Sequence, residues 1–291
     1  MKIGGSGYTI IEVMIVLAIS GALLIGAAAI IGGKQGTTQF QVSSRDFNDV
    51  LNSISNNISN GYFSTVKTWS CSVTTGSPPT VTPIQGGTTQ GSNGQCMFIG
   101  QVVQLTPSSP NYTVTPLIGA QYKGGSASNG FSVTLSDSGA AAITQETATA
   151  PIGNGVTIGC VLYNTTSGAD TITPLKSNRP CDVGGQYVAS NAIVFLTTYQ
   201  GSSVGGTYGN NRQINLLVAA NTSTNALSTN SYIQNIDTTT GIPAAFVQNP
   251  PGGIYICLQS ASSDQYALLE IGGANSQTTT QSSTIYTGSC S

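Results

Sequence analysis

Two sets of residues in this sequence could do chemistry. One is Glu12, a lone carboxylate at the head of VMIVLAISGALLIGAAAIIGG, residues 13–33, with no further charge until Lys34. The other is a set of six cysteines, Cys71, Cys96, Cys160, Cys181, Cys257 and Cys290, all downstream of that apolar run. There is no histidine. Its absence removes Ser-His-Asp and Cys-His nucleophilic arrangements and most catalytic zinc sites. In the last 230 or so residues, Asp137, Glu146, Asp170, Asp182, Asp237, Asp264 and Glu270 are scattered and form no acid-rich loop of the calcium-binding kind. No phosphate-cradling loop with its glycines and lysine occurs. The expectation is therefore no catalytic residue, no cofactor, no cofactor-binding or metal site, and a protein that is not an enzyme.

The cysteines are even in number and none belongs to a CxxC pair. In a Ser/Thr-rich chain of low charge that carries an export segment, they are disulfide candidates for an oxidising compartment. Six cysteines permit many connectivities. Pairing of sequence neighbours, 71 with 96, 160 with 181 and 257 with 290, is one choice among them that nothing in the sequence selects.

Charge excludes one class of partner. Lys plus Arg is 8 and Asp plus Glu is 10, a net charge of -2, and no basic patch is available to neutralise a row of phosphates. No nucleic acid is predicted for the head. A surface rich in Ser, Thr and Asn could still meet a surface or a glycan through amides and aromatics, and the ligand stays unidentified. Trp69 and the tyrosines read as core or ordinary surface before they read as a sugar platform.

Positioning elements follow from the patterning. The apolar run is long enough to span a bilayer, since about 20 helical residues at about 1.5 Å each cover a hydrocarbon core of about 30 Å. Its Ala, Ser and Gly residues would let helices approach closely. Beyond it, Phe40, Phe47, Val50, Leu51, Ile54 and Ile58 form a helical apolar stripe with polar residues on the other faces. No proline occurs before Pro78, and Gly61 is a natural stop. The pattern predicts one helix over about 8–60, hydrophobic in its first half and amphipathic in its second.

After Gly61, β-branched and aromatic runs alternate with turn-rich stretches. Strands are expected at Met97–Leu105, Phe131–Leu135, Val156–Tyr163, Tyr187–Thr198, Gln213–Ala219, Ile254–Gln259 and Tyr266–Ile271, the last two as an antiparallel hairpin. Residues 74–94 read as a loop, as does ANSQTTTQSST near the end unless Cys290 ties it down. The expected fold class is α+β, a long N-terminal helix carrying an antiparallel β-sheet head over 61–291, large enough for an extra β subdomain.

The stretch Gly7-Tyr8-Thr9-Ile10-Ile11-Glu12, continuing into VMIVLAI, resembles the N-terminus of type IV prepilins and pseudopilins. That family shows Gly, an aromatic residue, Thr, two apolar residues, Glu and an apolar helix. Tyr8 stands where Phe is usual, and a proline common within the family's apolar segment is absent. The resemblance implies a pilin-like fold and a leader, residues 1–7, removed by a prepilin peptidase after Gly7. It implies N-methylation of Tyr8. Residues 8–60 would then be the transmembrane and assembly helix. Glu12, costly at membrane depth by about 2.5–3.5 kcal/mol, would pair with the Tyr8 amine of a neighbouring subunit.

What the resemblance implies for function is a structural subunit of a type IV pilus, a fibre for adhesion or motility. It would be single-pass in the bacterial cytoplasmic membrane with its head outside, then extracellular in the filament. Its partners would be other pilin subunits in a homopolymer, the peptidase, the inner-membrane assembly platform, and the membrane before assembly. A pseudopilin or minor pilin of a type II secretion or DNA-uptake apparatus shares the same N-terminus. A membrane-anchored binding domain that never polymerises is the alternative of another class.

Overall fold

The computed structural model describes residues 9–60, 69–72, 80–83, 96–120, 141–142, 147–166, 179–182, 187–199, 212–219, 246–272 and 280–291. One helix, α1, runs without interruption over Ile10–Asn60. At about 1.5 Å per residue it is roughly 76 Å long. Two of its interior serines return their hydroxyls to the preceding turn, Ser44 Oγ to Phe40 O at 2.9 Å and Ser59 Oγ to Ser55 O at 2.9 Å. These two serines thus sit inside the helix with their hydroxyl protons satisfied.

The strands, in chain order, are β1 (Trp69–Ser72), β2 (Thr80–Pro83), β3 (Cys96–Leu105), β4 (Asn111–Ala120), β5 (Ala141–Ala142), β6 (Ala148–Pro151) and β7 (Val156–Asn164). After a short 3-10 turn at Pro180–Asp182 come β8 (Tyr187–Ser190), β9 (Ala192–Tyr199), β10 (Arg212–Ala219), β11 (Phe246–Gln248), β12 (Ile254–Ser260), β13 (Gln265–Ile271) and β14 (Thr280–Thr287). β1 and β2 pair with each other alone. A seven-stranded sheet has the order β11-β10-β9-β3-β4-β5, with β6 also on β4. A five-stranded sheet has the order β14-β13-β12-β7-β8. The ladders between these strands are antiparallel.

The α+β architecture of a long helix and antiparallel sheets is therefore present, with several departures in detail. The run Tyr187–Thr198 is not one strand. It breaks at Asn191 into β8, which belongs to the five-stranded sheet, and β9, which belongs to the seven-stranded sheet. Residues 80–83, expected within a loop, form β2. The tail forms β14 on the edge of the five-stranded sheet. β4 was not anticipated, and it carries Pro116, a residue that reads against a central strand. On the β5/β6 side of β4, β6 pairs residues 111–114 and β5 pairs 117–118, so Pro116 falls between two partners. The expected strand at Phe131–Leu135 lies outside the described residues.

One core joins the elements. Phe40, Phe47, Leu51, Ile54 and Ile58 of α1 pack with Val103, Leu105, Ile193, Phe195, Leu216 and Val218 of the larger sheet. The same cluster takes in Val156, Ile158, Val161, Ile254, Ile256, Leu258, Ala267, Leu269 and Ile271 of the smaller one. Phe47 meets Tyr112 edge-on, with ring centroids 5.2 Å apart. The β6–β7 turn closes on the helix through Gly153, Asn154 and Gly155, all at positive φ (104°, 41° and 67°). Glycine adopts that conformation freely, and the turn delivers the Asn154 amide to Ser43 Oγ at 2.9 Å.

The other face of the five-stranded sheet carries a second buried layer of Leu162, Tyr187, Tyr255, Cys257, Tyr266, Leu268 and Cys290. Two disulfides, Cys160–Cys181 and Cys257–Cys290, lie there with Cα–Cα distances of 5.9 and 6.1 Å. They match two of the three sequence-neighbour pairs. Cys71 is on β1 and Cys96 begins β3, but their side chains fall outside the described ones.

The two halves of α1 respond oppositely to change. Leu51→Ala should lower unfolding stability by about 2–5 kcal/mol, as a fully buried leucine does on truncation. Deletion of residues 1–28 should leave the head's melting temperature within a few degrees of the full chain, because nothing in Ile10–Ala28 is buried against it. Differential scanning calorimetry in detergent reads both. A large drop on deletion would show that the first half supports the head.

Candidate functional site: the exposed half of the helix

Ile10–Ala28 is the described stretch long and apolar enough, by length and composition, to cross a membrane. None of it is buried. Ile10 is 81% exposed and Leu24 74%, and Ile11, Met14, Val16, Leu17, Leu23 and Ile25 are similarly bare. A soluble monomer rarely exposes so continuous an apolar surface, which marks a lipid or protein contact. At about 1.5 Å per residue its 19 residues cover roughly 28 Å, close to the hydrocarbon thickness of about 30 Å. One polar side chain within it, Ser20, donates to Val16 O at 2.7 Å. No open donor is presented along that stretch by the serine, as an apolar medium demands.

At the head of this surface the chain builds a defined helix start. Thr9 is the N-cap. Its carbonyl accepts from Glu12 N at 3.0 Å and from Val13 N at 3.2 Å, and its Oγ1 accepts from Glu12 N at 3.3 Å. Glu12 therefore occupies the third helical position, and Thr9-Ile10-Ile11-Glu12 has the T-x-x-E spacing of a capping box. Its carboxylate is exposed in the first turn. An anion there is favoured by the helix dipole by about 0.3–1 kcal/mol. The capping role of Thr9 escaped the sequence reading, although the T-x-x-E signal stood in plain view. Gly7 and Tyr8, the expected cleavage pair and methylation site, lie outside the described residues.

Other candidate residues fall apart in space or into the core. Asp182 sits in the 3-10 turn and forms a 3.7 Å exposed ion pair with Arg179. Asp264 lies in the β12–β13 turn and Glu270 on β13. Burial holds the Glu270 carboxyl above its usual range, an effect that the neighbouring Tyr255 hydroxyl offsets only in part. Tyr112, Tyr163, Tyr187, Tyr255 and Tyr266 are buried, so they pack the core and form no open aromatic platform. Among the described residues, one group of side chains has metal-ligand chemistry and mutual proximity, the sulfurs of Cys181, Cys257 and Cys290 within 4.8 Å of one another. All three are in disulfides and offer no thiolate for a metal. Comparison with known protein families, with curated proteins and with solved structures gave no match.

Proposed function

We propose that this chain is a type IV pilin-like structural subunit, held in a membrane by the first half of α1 and polymerised through that half into an extracellular filament. The observation that carries the reading is the bare apolar helix Ile10–Ala28, headed by a single carboxylate at Glu12 and preceded in sequence by Gly7-Tyr8. An exposed apolar rod needs either lipid or other rods around it. The second half of the same helix buries one face in the head. Subunits can then pass from bilayer to fibre without repacking their cores.

Cleavage after Gly7 would create an α-amine at Tyr8, one residue before the N-cap. In the bilayer or a fibre core, that ammonium and the Glu12 carboxylate need partners. Pairing between neighbours satisfies both and fixes the register of one helix against the next, as buried polar pairs do in other apolar seams. The head contributes no catalytic group in this scheme. It is cargo and outer surface.

Two outcomes follow. Intact-mass and N-terminal peptide analysis of the surface-exposed protein should find Tyr8 first, carrying an N-methyl group. Retained Met1, or cleavage near residue 33, would sink the pilin reading. Glu12→Ala should insert in membranes at least as well as the native chain while filament yield collapses. The cap survives this change, because Thr9 Oγ1 is bonded to the backbone N–H of residue 12 and not to its side chain. Loss of the partner leaves a buried amine unpaired, at about 3–5 kcal/mol per contact if fully desolvated. Sheared-fibre yield, set against membrane-resident subunit, reads the effect. Normal fibres built mainly of the Glu12→Ala subunit would reject the assembly role.

A further inference from the structure

The two disulfides on the outer face of the five-stranded sheet are not independent. Cys160 on β7 stands directly opposite Cys257 on β12 in the antiparallel register. Cys181 donates its N–H to the carbonyl of Cys290 at 2.8 Å. Gly159, next to Cys160, lies so close to Cys290 that any side chain there would collide with it. As a result the Sγ atoms of Cys181, Cys257 and Cys290 gather within 4.8 Å although they belong to two different bonds. Exposure separates the bonds. Cys257 and Cys290 are each 1% exposed, whereas Cys160 and Cys181 are half-buried.

We propose that these residues form a thiol–disulfide exchange cluster, in which reduction of the half-exposed Cys160–Cys181 bond arms Cys181 to take over the bond that holds the C-terminal segment. The steps balance. A dithiol reductant converts Cys160–Cys181 to two thiols and is itself oxidised to a disulfide. The Cys181 thiolate then attacks Sγ of Cys290. The Cys181–Cys290 bond forms, the Cys257–Cys290 bond breaks, and the electron pair leaves on Cys257 as a thiolate. Attack on Cys257 instead expels Cys290. Either exchange is redox-neutral, and exchange of this kind proceeds by thiolate attack on a neighbouring disulfide sulfur.

The backbone is already arranged for the Cys181–Cys290 pairing. The Cys181 N–H bond to Cys290 O holds the 3-10 turn and the C-terminus together without any sulfur. Gln259 Oε1 accepts from Cys290 N at 2.6 Å and fixes the same segment to β12. The C-terminal segment stays tethered throughout, first to β12 through Cys257 and after exchange to the 3-10 turn through Cys181. What passes inward is the free thiol, from the more exposed Cys181 to the buried Cys257.

Cys160→Ser tests this in the full-length, exported protein in detergent, because it leaves one free thiol at Cys181. After incubation at about pH 8.5, where an ordinary thiol is half ionised, acid-quenched alkylation and non-reducing peptide mapping should show alkylation lost from Cys181 and gained equally at Cys257 or Cys290. Peptides joining 181 to 290 or to 257 should appear with it. Cys181→Ser leaves Cys160, which is outside the three-sulfur group, and its thiol should stay at 160. If Cys160→Ser fails to fold, the native protein treated with less than one equivalent of dithiol reductant should yield the same mixed peptides. The proposal is overturned if Cys181 stays fully alkylatable with 257–290 intact, if Cys181→Ser exchanges equally well, or if partial reduction of the native chain gives no mixed linkage.

Discussion

Phe40, Phe47, Leu51, Ile54 and Ile58 are each at most 6% exposed, and their neighbours come from both large sheets at once. That contact is the constraint on which the head depends. Neither sheet covers its apolar face with the other alone; the second half of α1 contributes to the layer between them. The spacing of the stripe sets which face of the helix turns inward, and the small residues beside it set how close the chain can come. Gly36 faces the Ser262 hydroxyl, and Ser43 meets the β6–β7 turn. A bulky residue at Ser43, which is 1% exposed, would push the helix off its seat; at Gly36 an added methyl would require the Ser262 hydroxyl to shift.

The same helix has two characters. Up to Ala28 it is bare, apolar and long enough to cross a membrane, and from Phe40 one face packs on the head. No backbone break divides these regions, so the boundary is written in side chains. Serine illustrates the economy of this. Ser20 in the bare half and Ser44 in the buried half both return their hydroxyls to the helix carbonyl four residues back. The identical local bond makes a polar residue acceptable in either medium.

Legibility in the sequence tracked how local the determining physics was. The helix followed from a 3.6-residue stripe and an absence of proline, both readable along the chain. β7, β12 and β13 are nearly continuous apolar runs and showed themselves as strands. β14 did not, since TTTQSST has the composition of a loop; it becomes an edge strand through pairing to β13 and through the Cys290 bond beyond it. β4 was not among the expected strands; it carries Pro116, opposite Gln101 of β3 and between the β5 and β6 pairings on its other side. The sulfur cluster could not be seen at all. It depends on Cys160 falling opposite Cys257, a register set by strands almost a hundred residues apart. At the candidate site, Glu12 stood out as a charge in the wrong solvent. Thr9 did not, because its part in capping is played by a hydroxyl that looks ordinary beside the apolar run.

The corner at Asn191 has a mechanical consequence. β8 ends at Ser190 in one sheet and β9 begins at Ala192 in the other, so a single residue carries the chain between them. Leu105 N–H holds the Asn191 carbonyl at 2.7 Å, and Ser190 Oγ donates to Ala192 O at 3.2 Å. With no slack at that joint, the sheets cannot slide past each other without breaking it. Any displacement of one sheet along the other therefore strains the Leu105–Asn191 hydrogen bond first, which couples the two sheets at this corner.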